Sequence, residues 1–317
     1  MSSSASPSLL PSSLLPALRD EVDALPATDA ATEHKPGDDE AEHHEAPPPS
    51  RPGLESSRER LQAAAKSWGI SIASVAVGLV LWHWATKINL DLYIRFANVP
   101  PPLKVGETFW RHLGENTFYL HIAVSMRRIL YAYGIATGLG ILLGLFMGRS
   151  RLSRDILMPY LEILRPIPAV AWIPLAILMM PTEESSIVYI TFLGALFPIV
   201  LNTIHGVEQT PEVLVRAART LGASRLQVFW YVVIPAALPS IAAGLAIGMG
   251  VAWFSLLAGE IISGQYGIGY FTWNAYSLIN YPDIVVGMLV IGGLGTLSTY
   301  AVRMLTRPFL AWQRKSR

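Results

Sequence analysis

Four ionisable side chains stand in apolar surroundings, and their types and positions raise the question of chemistry. Arg127 closes the segment HIAVSMR, Glu162 and Arg165 are three residues apart, and Glu260 ends Ala258-Gly-Glu. A charge in apolar surroundings is costly, so it must find a partner, reach water or face a solute pathway. Glu162 and Arg165 have the i, i+3 spacing at which helical side chains can pair. Glu260 reads first as a cap or ion pair for the turn that follows and second as a gate. Catalysis finds no footing. The chain has no cysteine, which excludes thiolate and disulfide chemistry, and neither H-E-x-x-H nor G-x-S-x-G occurs. A phosphate loop of the form G-x-x-x-x-G-K-[ST] is also absent. Gly264, Gly267 and Gly269 do not supply one, since no strand precedes them and no Lys-Ser/Thr follows. His34, His43 and His44 read as members of a solvated tail rather than metal ligands. These residues predict no catalytic group, no cofactor and no metal.

The elements that must hold these charges are membrane spans. The chain of 317 residues is 52% hydrophobic and only 15% charged, and its mean hydropathy is +0.40. That composition places it in the membrane class. A net charge of +1 suggests no nucleic-acid partner. Apolar runs predict an all-α protein with six spans, near 69–86, 122–147, 156–180, 186–204, 238–258 and 284–302. Trp82 and Trp84 suit an interfacial belt near the end of the first span. Gly140, Gly144 and Gly148 in the second span, and Gly244, Gly248 and Ala252 in the fifth, form small-residue ladders that let helices approach closely. Pro166, Pro168 and Pro174 break or kink the third. Leu103–Leu113 reads as an amphipathic surface helix. Residues 1–60, rich in Ser, Pro and acidic side chains, read as a disordered tail, and 61–317 as the membrane domain.

One polar insert separates the fourth and fifth spans: TPEVLVRAARTLGASRLQVFWYVVIPAALP, Thr210–Pro239. Thr210 and Pro211 signal a helix start, Gly222 a break, and Ser224 with Gln227 a capping box for a second helix. Pro235 and Pro239 close the insert. It therefore reads as two short helices bent at Gly222 and held at a membrane surface.

Within the insert, Ala217, Ala218, Gly222, Val232, Ile234 and Pro235 fall in the order E-A-A, three residues, Gly, nine residues, a branched apolar residue, any residue, Leu-Pro. This resembles the signature loop of permease subunits of ATP-binding-cassette importers, with Arg216 in place of the usual Glu and Ile234 in place of Leu. From Pro100 onward the chain is similar to the nitrate, sulfonate, taurine and bicarbonate import group. The likeness runs through His121–Arg127, Gly140–Gly144, Arg165-Pro-Ile-Pro168, Trp172-Ile-Pro174, Val251-Ala-Trp253, Ala258–Glu260 and Gly267–Gly269. The resemblance implies that Arg216, Ala217, Ala218, Gly222 and Ala223 couple to a separate ATPase subunit. It also implies a second permease copy, an external substrate-binding protein and a small anionic solute. Arg127, Glu162, Arg165 and Glu260 become the candidates for a pathway or gate.

Six spans put Arg149, Arg151, Arg154, Arg216, Arg219, Arg225 and the basic C-terminus on one side. The loops 181–185 and 260–283 contain no Lys or Arg. The positive-inside bias then makes the insert and both termini cytosolic, in a bacterial inner membrane. Lys87, Arg95, Lys104 and Arg111 fall outside and run against that bias. Two alternatives stand beside this reading. One is a secondary transporter working alone, against which no internal repeat is seen. The other is an importer of the same group for a neutral or cationic solute such as a thiamine-precursor pyrimidine.

Overall fold

The computed structural model describes residues 55–88 and 98–310. The chain divides into units 1–63 and 64–317. The expected disordered tail lies outside the described residues except for its last six, which begin helix α1 (Glu55–Ile88). Arg95 and residues 311–317 also lie outside them. Among the described residues the chain is helical and contains no strand.

Helix α1 exposes Ile70, Ile72, Val75, Leu81 and Trp84, an apolar surface suited to lipid. The structural centre is α6 (Glu183–Glu208), flanked by α3 (Asn116–Arg149) and α9 (Ile234–Ser263). The reason is steric. A β-carbon at Gly140 would lie 2.8 Å from Ile199 Cγ2, and one at Gly148 would lie 2.7 Å from Val207 Cβ. On the other flank, a β-carbon at Gly244 would meet Asn202 and one at Gly248 would meet Ile199. Numbers rise together across α3 and α6, so those helices run parallel; they run in opposite senses across α9 and α6. Both glycine ladders legible in the sequence thus serve the same central helix. Helix α6 begins with Thr182 and Ser185 bonded reciprocally as a capping box.

Among the described residues five helices are long and apolar enough to cross a membrane, and a bent pair adds a sixth if it counts as one span. That pair is where the structure departs from the expected third span. Helix α4 (Arg151–Leu164) stops at Arg165-Pro-Ile-Pro168. The chain resumes after an 87° bend as a 3-10 turn (Ala169–Trp172) and α5 (Ile173–Met179). Arg165 still has helical angles and bonds its N–H to the Leu161 carbonyl, but Pro166 and Pro168 have no N–H with which to continue the ladder. Such backbone is tolerated at membrane depth only where it meets protein or a water-filled cavity.

The insert forms α7 (Glu212–Thr220) and α8 (Arg225–Val228), with Gly222 between them at φ +84°. Pro235 and Pro239 do not close it as expected. A π turn over Phe229–Val233, with Ile234 N–H bonded to the Phe229 carbonyl, carries the chain directly into α9. Pro235 sits in the first turn of α9, where its missing donor matters least, and Pro239 is inside the helix.

At the end remote from the insert lie α2 (Pro102–His112), α10 (Ile268–Ser277) and the start of α11 (Tyr281–Thr306). The amphipathic reading of α2 corresponds to its burial of Val105, Thr108 and His112. Val105 joins Phe118, Ile268 and Val286 in a small core.

Candidate functional site

The insert ends α7 with paired backbone bonds. Ala223 N–H donates to the Ala218 carbonyl and Gly222 N–H to the Arg219 carbonyl, both at 3.0 Å. This is the Schellman arrangement, which needs a left-handed residue at Gly222. Its usual apolar contact is present, since Ala218 and Ala223 both pack on the cluster around Val228, Val233 and Ala237. The small residues therefore divide. Ala218 and Ala223 face the bundle, whereas Ala217 and Gly222 are exposed. Arg216 is exposed and reaches only Glu212, at 3.7 Å. Around this turn stand bare apolar side chains: Leu221 is 88% exposed, Tyr231 80% and Leu226 67%.

At the remote end, three helices converge on a buried ionic cluster. Arg128 of α3 donates from Nε to Glu184 Oε2 and from Nη1 to Glu260 Oε1, both at 2.9 Å. Nη1 also reaches the Tyr266 carbonyl. Glu260 accepts from Ser125 Oγ at 2.7 Å and from Gly269 N–H at 2.9 Å. Ser125 accepts from Ile268 N–H, and His121 Nδ1 from Gly267 N–H. Gly267 has φ +122°, and a β-carbon there would collide with the Glu260 carboxylate. Glu260 thus anchors the glycine turn that starts α10, and the N–H groups of Ile268, Gly269 and Phe271 in its first turn all have acceptors. Arg128 is 3% exposed and Glu260 1%, a burial that only complete pairing makes tolerable.

The four ionisable residues singled out in the sequence therefore separate in space. Glu260 enters the cluster. Arg127 is exposed and touches it only through Glu184 at 3.6 Å. Among the described residues Glu162 and Arg165 make no ion pair with each other or with any other group. Sequence reasoning missed Arg128, although a signal existed. Ser125, Arg128, Ala132, Ala136, Gly140 and Gly144 are all buried at helical spacing, and Arg127 falls off that stripe.

A second polar clasp lies outside the spans. His112 bonds through Nδ1 to Glu115 Oε2 at 2.8 Å and through Nε2 to Asp283 Oδ1 at 2.9 Å. Its ring stacks on Phe118, with centroids 5.4 Å apart. Arg111 stands 3.8 Å from Asp283 on the same side. Burial disfavours the imidazolium, but the bonds to Asp283 and Glu115 outweigh it and raise the His112 pKa above its ordinary 6.5. A raised folded-state value means that the clasp stabilises fully below about pH 6.5 and loses that contribution as pH climbs through the folded-state value. Hydrogen exchange over 102–112, corrected for intrinsic rates, should show protection falling as pH rises above 6.5. His112→Gln should flatten that dependence, and an unchanged profile in that variant would refute the clasp.

Between the bend at 165–168, α6 and α9 opens a cavity of about 550 Å³, with Arg165 at its edge. Towards the insert a polar hollow of about 420 Å³ adjoins it and also includes Arg165.

A bundle of apolar helices long enough to cross a membrane, with a two-helix loop at one end and a locked ionic cluster at the other, is the architecture of a multi-pass membrane protein. Residues 137–310 match the family described as the binding-protein-dependent transport system inner membrane component, and the chain belongs to that family. It is 34% identical to the taurine transport system permease protein TauC of Escherichia coli (strain K12), over 77% of this chain and 89% of that one. It is 32% identical to the nitrate import permease protein NrtB of Synechocystis sp., over 71% of this chain and 82% of that one. It is 34% identical to the putative aliphatic sulfonates transport permease protein SsuC of Escherichia coli (strain K12), over 78% and 94%. The chain is a membrane permease subunit of an ATP-binding-cassette importer.

Proposed function

We propose that this permease carries a small anion, a sulfonate or taurine ahead of nitrate or bicarbonate, across a bacterial inner membrane. It does so with two ATPase subunits, a second permease copy and an external substrate-binding protein. The chain itself hydrolyses nothing. Its insert faces the cytosol with both termini, and ATP-driven closure of the ATPases moves it as a rigid lever. The observation that carries this reading is the bare apolar crest of Leu221, Leu226 and Tyr231 around the left-handed turn at Gly222. An exposed apolar patch of that kind marks an interaction site. The Schellman closure and the contacts of Ala218 and Ala223 with the bundle hold that crest rigid, as a lever requires. The relatives' names, which specify taurine, nitrate and aliphatic sulfonates, support an oxyanion-bearing solute.

The test is to purify the tagged chain from membranes and identify its companions. An ATPase subunit should come with it, and ATPase activity should respond to changes within 216–222. A chain that purifies alone and moves solute in ATP-free vesicles would sink the proposal in favour of a secondary transporter.

A further inference from the structure

We infer that Arg165 is the oxyanion-recognition residue of the transport path, poised where an apolar chamber opens toward the cytosolic side; this rests on the anionic-solute reading above. The chamber of about 550 Å³ is walled by Leu193, Phe197, Leu201, Phe254 and Ser255, with Arg165 the charged group on its lining. Of the wall's hydroxyls, Ser255 is already spent on the Val251 carbonyl. Arg165 also borders the adjoining polar hollow, which contains His205, Asn202 and the Arg154–Glu208 pair. Leu201 of α6 lines both spaces, so the two meet at its level. The other arginine of that hollow is neutralised by Glu208, whereas the exposed Arg165 guanidinium has no ion-pair or hydrogen-bond partner among the described residues.

The backbone explains why a cation is held there. Arg165 caps α4 at the bend of 87°, ahead of Pro166 and Pro168. The C-terminal end of α4 carries partial negative charge, which favours a cation there, and the irregular backbone is itself tolerated because it lines that cavity. An unpaired guanidinium at such a break marks a solute path rather than a structural tie. Its planar fork of donors suits the paired oxygens of a sulfonate or nitrate, and a lysine cannot reproduce that fork. The apolar wall accommodates the short hydrocarbon part of an organosulfonate. The recognised chemistry is an oxyanion, which a lipid phosphate also presents, so the experiment must separate the two sources.

The complex of permease, ATPase and binding protein is reconstituted in vesicles. Uptake of radiolabelled taurine and nitrate is measured beside ATPase stimulation by the loaded binding protein. Arg165→Gln should lower uptake at sub-saturating solute about tenfold, the loss expected for one charge-assisted contact. ATPase stimulation should stay near wild type, because the insert is untouched. Arg165→Lys should recover part of the uptake. A wild-type complex that moves an anion with Arg165→Gln equally active overturns the site alone. A complex that moves only uncharged or cationic solute overturns the site together with the solute class. A defect of Arg165→Gln that disappears when anionic lipids are replaced by phosphatidylcholine assigns the arginine to a headgroup and overturns the site.

Discussion

Arg128→Met should leave the permease too unstable to purify as a monodisperse species. The change removes one partner of a buried pair and keeps the other, so Glu260 remains almost wholly buried with its only cation gone. Breaking such a pair costs about 3–5 kcal/mol, a large share of any protein's margin. The loss spreads, because Glu260 also holds Gly269 N–H and the Ser125 hydroxyl that accepts from Ile268 N–H. Once the carboxylate tilts away, the start of α10 loses its cap. Two controls isolate the cause. Arg127→Met, in an exposed side chain, should shift the melting midpoint little, within about 0.5 kcal/mol. Arg128→Met combined with Glu260→Gln should recover part of the loss, because no unpaired buried charge remains and the glutamine oxygen still accepts from Gly269. Scanning fluorimetry in detergent reads all three. An Arg128→Met protein with wild-type midpoint would show that the cluster is not a structural tie.

The choice between Arg127 and Arg128 shows what the sequence made legible. Apolar runs fix where helices cross, because bilayer thickness sets their length. Glycine periodicity fixes which faces touch, so the ladders from Gly140 and Gly244 announced the packing on either side of α6. The signature loop was legible for the same local reason: Gly222 and the Ser224–Gln227 box write backbone geometry directly into residue type. The ionic cluster was not. Its members are separated by as many as 146 residues, as His121 and Gly267 are, and only the relative placement of α3, α9 and α10 brings them together. The bend at Arg165 was visible as prolines but not as a right angle, because two prolines near one another permit a kink or a full turn. Tertiary contacts with α6 decide between them. The path from α8 into α9 was hidden for the opposite reason. Pro235 looks like a stop, yet the π turn supplies an alternative bond that absorbs it.

Gly222 separates folding from coupling, and three substitutions there should do so cleanly. At φ +84° any side chain costs about 1–2 kcal/mol, and Gly222→Ala and Gly222→Trp share that cost. A β-carbon at Gly222 has no neighbour within 4 Å, and the position is exposed, so both begin in open space. The two variants should therefore accumulate in the membrane to similar levels and melt close together. They differ in bulk presented outward, beside Leu221 and the exposed Ala217. If the crest seats in an ATPase groove, Gly222→Ala should keep most uptake, while Gly222→Trp should lose it at least about tenfold, the effect of roughly 1.4 kcal/mol in a docking equilibrium. Stimulation of ATP hydrolysis by the loaded binding protein should fall with it. Gly222→Asn tests the backbone separately, because asparagine enters the left-handed region more readily than alanine and should melt nearer to wild type. A Gly222→Trp complex with normal uptake and normal stimulation would remove the loop from the coupling path, however well its turn is formed. A defect equal in Gly222→Ala and Gly222→Trp would assign it to the turn's backbone rather than to docking. Because the intrinsic cost is matched, only a difference that scales with side-chain size reports the partner.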